Sequence, residues 1–119
     1  MSLRVLVTGG VAFTDRERVF AVMDRFRDRF GVALVIHREA PGVAKLAGEW
    51  AEAREVPCST FALRPGAAEN AEAECNWRML RMVKAERVIV FPGETGTLAE
   101  QARGLGVEVI EIPPRRETP

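Results

Sequence analysis

One histidine and two cysteines among 119 residues leave little from which to build a metal site. His37, Cys58 and Cys75 do not stand at zinc-type spacing, and one imidazole does not complete a tetrahedral set, so no metal is expected. The two thiols read as free, which suits a reducing, cytoplasmic setting. Net charge is absent as well, because 17 basic residues balance 17 acidic ones. Binding to nucleic acid or to an acidic membrane draws on clustered basic charge, so neither partner is expected. No apolar run approaches the roughly 20 residues of a membrane span, and no signal peptide precedes the first apolar segment. Repeats, linkers and low-complexity stretches are missing too. One domain over residues 1–113, with a disordered tail over 114–119, is the expectation.

What is present is an alternation of two segment types. Leu3 to Val7 is a short apolar run that ends in Thr8-Gly9-Gly10. Val19, Met23, Phe26 and Phe30 then recur at helical steps, which predicts an amphipathic helix. Thr14 and Glu17 read as a capping box at its start, and Gly31 as its stop. Val32 to Ile36 is a second strand. A helix with Val43, Leu46, Ala47 and Trp50 on one face follows, with Pro41 suited to its first turn. "VPCSTFAL" is a third strand, and "RPGAAENAE" a loop running into a helix that carries Cys75, Met79, Leu80 and Val83. Val88 to Phe91 is the fourth strand, Thr97 to Arg103 a short helix, and Val107 to Ile112 the fifth strand.

Such alternation predicts an α/β, Rossmann-like three-layer domain with a five-stranded parallel sheet. Right-handed crossovers leave 3-2-1-4-5 as the expected strand order. Ligands on open α/β sheets bind beyond the carboxyl ends of the strands at the switch point, here between strands one and four. Thr8-Gly9-Gly10 would then face "PGETGT", residues 92–97. Both loops read as opening into helix N-termini, where free N–H groups favour an anion. Thr8, Gly9, Gly10, Phe13, Asn76, Gly93, Thr95, Gly96 and Thr97 are therefore the candidate ligand-binding residues. No "GK[ST]" is present, so this is no Walker loop, and "TGGVAF" lacks the later glycine of a dinucleotide fingerprint.

"RVLVTGGVAFTDRERVF", "VIHREAPGVAKLAGEWA", "NWRML" and "FPGETGT" together resemble the YspA/YpsA-related branch of the SLOG superfamily, from the first strand to about Ile112. The resemblance implies a small Rossmann-like protein. The wider superfamily includes LOG-type phosphoribohydrolases, which carry a PGGxGTxxE motif and an upstream arginine and cleave the N-glycosidic bond of nucleoside monophosphates. Pro92, Gly93, Gly96, Thr97 and Glu100 match that motif, and Arg78 lies where the arginine would fall. By that resemblance, residues 95–97 would hold phosphate, Glu100 would stabilise charge building on the ribose, and Arg78 would fix Glu100. Glu94 replaces the motif's second glycine, where a carboxylate repels a phosphate unless it points away. Val11 and Ala12 replace an Arg and an Asp of close relatives, His37 to Ala44 departs from HGGARGAD, and Cys75 stands in place of an Arg.

Each candidate also has a structural reading. Glu100 completes a capping box with Thr97, Arg78 is a salt-bridge partner, and Asn76 caps a local turn. His37 is a hydrogen-bonded structural histidine, Phe13 anchors its loop, Cys75 is inert core, and Trp50 and Trp77 serve packing or a subunit contact. Three functions follow. The first is a non-catalytic protein that binds a nucleotide or nucleotide-derived small molecule without a further cofactor. The second is a phosphoribohydrolase using Glu100 and Arg78. The third is a homo-oligomer with a degenerate pocket; single-stranded DNA binding is disfavoured by the zero net charge.

Overall fold

The computed structural model describes residues 2–64 and 70–114. The middle of the expected loop before the third helix, and the last five residues of the expected tail, lie outside them. Five parallel strands form one sheet in the order β3-β2-β1-β4-β5. They are β1 (Leu3–Thr8), β2 (Val32–Arg38), β3 (Cys58–Phe61), β4 (Arg87–Val90) and β5 (Glu108–Glu111). The helices between them are α1 (Arg16–Phe30), α2 (Val43–Ala53), α3 (Ala71–Trp77) and α4 (Leu98–Gly104), and α3 runs on into a π-helical turn at Arg78–Met82. Strand one is paired on both sides, with Leu6 beside Ile36 of β2 and Val88 of β4. The expected switch point is therefore present.

Side-chain alternation along the strands sorts two cores. Val5, Val7, Val35 and Ile89 pack with Val19, Met23, Phe26, Val43, Ala47 and Trp50 of α1 and α2. Leu6, Ile36, Val88 and Val90 point the other way, into Cys75, Met79, Leu80, Leu98 and Ala102. Strands apolar on both faces need such double cover, which explains why the central three read as continuous apolar runs. Trp50 is fully buried, so of the two tryptophans only the half-exposed Trp77 remains on the surface for a contact with another chain.

Helix α1 starts one residue later than the capping-box reading. Asp15 is the N-cap, and its carboxylate accepts from the Arg18 N–H at 3.1 Å. An Asp oxygen reaches the third helical N–H as well as a Thr hydroxyl does, and the backbone turns helical only after it. Gly31 closes the helix as expected, with its N–H on the Arg27 carbonyl at 2.8 Å. Pro41 precedes α2 rather than entering its first turn, because Gly42 takes the N-cap. Asp24 ties α1 to α2. It accepts from Trp50 Nε1 at 2.8 Å and from Arg54 Nε and Nη2 at 2.8 and 2.9 Å. The Arg54 hydrogen bonds hold the Asp24 carboxyl at about 2, below its ordinary 3.8.

Candidate functional site

The pairing of β1 with β4 brings their loops into contact. The Gly10 N–H donates to the Pro92 carbonyl at 3.0 Å, and a Cβ on Gly10 would lie only 3.0 Å from the Gly93 Cα. Two side chains at this crossing would force the loops apart, so the close approach requires glycine on both. The same Gly10 supplies its carbonyl to the N–H groups of Phe13 and Val43, at 3.3 and 3.2 Å. This last bond satisfies the first N–H of α2. The start of α1 is thus occupied by Asp15, contrary to the expectation of free N–H groups at the β1 loop, while α4, which opens from the β4 loop, has no side-chain cap at Thr97.

A cleft of about 260 Å³ opens where the loops meet. Thr8, Gly9, Gly93 and Thr95 line it as expected, together with Val11, Arg38, Ala44, Glu72 and Glu94. Glu94 does not point away. One carboxylate oxygen accepts from the Gly96 N–H at 3.0 Å, and the other is hydrogen-bonded by the Thr8 hydroxyl. Two donors drawn from two loops converge on one carboxylate. This is the arrangement of an oxyanion seat, filled by the protein's own acid. Gly96 also backs onto the Glu72 carboxylate, which a Cβ at this position would overlap.

Arg38 is the cation of the mouth. Strand alternation puts it on the same sheet face as Ile36, above the ends of β1 and β4. Its Nη2 donates to Asn76 Oδ1 at 2.6 Å and lies 3.9 Å from Glu72 Oε1. Its Nε is buried without a hydrogen-bond partner among the described residues. Sequence reasoning treated Arg38 as a replaced loop residue. The signal that could have found it is the period-two pattern of β2, which runs two residues past the expected end at Ile36.

The remaining candidates sit around the cleft rather than in it. Asn76 is fully buried and bridges Arg38 to Gln101, its amide donating to Gln101 Oε1 at 2.8 Å. It therefore orients the arginine and anchors α4. Phe13 packs its ring 5.9 Å from that of Phe91, against the α1/α2 core. Thr97 is the N-cap of α4, yet its hydroxyl bonds Gln101 Oε1 at 3.2 Å rather than the backbone. Glu100 is exposed and forms no capping box with Thr97. Arg78 is bound to Glu74 at 2.6 Å and to the Ala62 carbonyl at 2.8 Å. Nothing links it to Glu100 among the described residues. The π-helical turn begins at Arg78, with the Val83 N–H reaching the Arg78 carbonyl at 3.2 Å. Among the described residues no cluster of three metal-ligating side chains occurs, and no helix is long and apolar enough to cross a membrane.

The fold and its switch-point mouth define a Rossmann-like α/β protein with a polar cleft at the β1/β4 loops. Within that class, the chain belongs to the YspA, cpYpsA-related SLOG family, whose model matches residues 3–65. The matched segment spans β1 to just beyond β3 and carries the first two of the four resembling blocks; "NWRML" and "FPGETGT" lie outside it. No curated protein and no solved structure matches the chain significantly.

Proposed function

We propose that the protein binds a nucleotide or nucleotide-derived phosphate ligand at the β1/β4 mouth, without strong catalysis. The observation that carries this is the convergence of the Gly96 N–H and the Thr8 hydroxyl on the Glu94 carboxylate. Donors arranged for one oxyanion suit another, and two phosphate oxygens would take the places of the two carboxylate oxygens. Arg38, which lines the same cleft, supplies the positive charge for the exchange. The cleft of about 260 Å³ takes the phosphate end and leaves the rest of the ligand at its rim.

A hydrolytic function has less support. It needs Arg78 to orient Glu100 towards a ribose, and Arg78 is instead committed to Glu74 and Ala62. The test is a thermal-shift and calorimetric panel of AMP, ADP-ribose and related phosphates. A ligand at a hundred times its Kd stabilises the folded state by about 2.7 kcal/mol. In a domain of this size that raises Tm by roughly 10 °C. A panel that leaves Tm unmoved and shows no heat of binding rejects the function. Release of free base from AMP would restore the hydrolase instead.

A further inference from the structure

We propose that Cys58 and His37 form a nucleophilic thiol–imidazole pair on the β3 edge, which takes small peptide-type disulfides into a mixed disulfide. The pair lies on the sheet face covered by α2, away from the β1/β4 mouth. Val35 pairs with Cys58, and His37 with Thr60, so the imidazole reaches back by one pleat to the thiol. His37 Nε2 lies 3.3 Å from Cys58 Sγ and 3.2 Å from Thr60 Oγ1. Its Nδ1 lies 2.9 Å from the Arg38 carbonyl oxygen. A carbonyl only accepts, so Nδ1 carries the hydrogen and Nε2 of the neutral ring presents its lone pair to the thiol and the hydroxyl.

Two further observations separate this thiol from an ordinary surface cysteine. His37 is buried, with an exposure of only 7 %, and its imidazole packs over Gly48, where a Cβ would stand 2.9 Å from Nε2. Cys58 is an exposed residue, whereas Cys75 is buried. Beside the pair runs a groove of about 550 Å³ lined by His37 and Thr60 and, beyond them, by Lys45, Glu49 and Glu52. Arg38 and Lys45 with Glu39, Glu49 and Glu52 give this groove charge of both signs, which suits a ligand that carries both ammonium and carboxylate groups. Two metal-type donors alone do not make a metal site, so thiol chemistry is the use that the cluster supports.

In the exchange, Cys58 Sγ attacks one sulfur of the incoming disulfide while its proton passes to His37 Nε2. A new S–S bond forms as the reagent's S–S bond breaks, and the departing thiolate takes the proton back from the imidazolium. One disulfide becomes one mixed disulfide and one free thiol, so no other oxidant is needed. The test follows glutathione disulfide reacting with the native protein by mass spectrometry. Cys58 is expected to be thiolated about tenfold faster than the same cysteine in a short reference peptide, with Cys75 unmodified and dithiothreitol reversing the adduct. H37Q is expected to fall to the peptide rate, and T60V, which removes the competing hydroxyl, to react at least as fast as the native chain. Thiolation of native Cys58 no faster than the peptide overturns the proposal. So does an H37Q protein, folded by circular dichroism, that keeps the native rate. Should H37Q fail to fold, a T60V rate below the native one overturns it by itself.

Discussion

Removing the Glu94 carboxylate should weaken the free protein and strengthen its hold on a phosphate. Glu94 accepts one bond from the Gly96 N–H and one from the Thr8 hydroxyl. A hydrogen bond to a charged group contributes about 1.5–3 kcal/mol. The residue is partly buried, and solvent screening brings the two bonds together down to about 2 kcal/mol. A phosphate entering the seat must displace this interaction before it gains its own. E94A removes the competitor, and about 2 kcal/mol corresponds to an affinity gain of about 30-fold. The unliganded protein loses the same interaction, about 2 kcal/mol, and its Tm falls by about 8 °C. E94Q keeps an acceptor for Gly96 and loses only the charge, so its affinity should fall between the two. Isothermal calorimetry with AMP or ADP-ribose gives Kd, and differential scanning fluorimetry gives the unliganded Tm. The two readouts move in opposite directions only if the carboxylate occupies the ligand's place. A lower Tm with Kd within about twofold of the native value would refute the reasoning, since Glu94 would then be structural and out of the ligand's path.

Two other predictions concern the frame that holds the mouth. The Asp24 carboxyl titrates at about 2 in the folded chain against 3.8 ordinarily; a depressed folded value means that its stabilisation is complete above pH 4 and lost as pH falls through about 2. Discounted for partial exposure this is about 1 kcal/mol, so D24N should cost that much at pH 7 and flatten urea stability between pH 4 and 2; an unchanged acid slope would refute it. Gly42 has φ of +79°, and a Cβ there would overlap the Gly10 carbonyl and lie 2.7 Å from the Val11 Cα. G42A should therefore cost about 3 kcal/mol or more, and a shift in the urea midpoint worth under about 1 kcal/mol would show that the loop relaxes freely.

The strand order was legible because it rests on few and strong constraints. Apolar runs at Val5–Val7, Val35–Ile36 and Val88–Val90 have to be central, and right-handed crossovers then leave one simple arrangement. The glycines that bring the loops together could be read for a similar reason, since backbone crossings exclude side chains. The direction of Glu94 was not legible. It depends on the path of the loop through Gly93, whose φ is +91°, and no pattern of residue types encodes that angle. At Arg78 the salt-bridge reading holds and only the partner differs from the one the resemblance implied. A resemblance supplied its partner, but an acidic residue one helical turn earlier, Glu74, stands closer along the chain and captures it at 2.6 Å. The link from Trp50 and Arg54 to Asp24 joins two helices across the α1/α2 layer, and periodicity within one helix carries no information about such a contact.

Binding at a seat that already holds a carboxylate is an exchange, and this constrains what the ligand must offer. Two oxygens of one phosphate would repeat the bonds that the two Glu94 oxygens make to Gly96 and Thr8, with a second carboxylate, Glu72, close behind Gly96. Such a phosphate would gain little over the chain's own group, which is tethered and loses less freedom on taking its place. A ligand displaces Glu94 with profit only through contacts that the carboxylate does not make, and the Arg38 guanidinium belongs to a residue that lines the same cleft. Asn76 fixes that guanidinium from below at 2.6 Å and is itself fixed by Gln101 of α4. The arginine therefore holds its position across the mouth whether or not the seat is exchanged. Within the proposed function, discrimination among phosphates thus rests on what a ligand adds beyond the seat: inorganic phosphate offers only the oxygens that replace Glu94, while a nucleotide-derived ligand also meets the cleft wall that Val11 and Ala44 line.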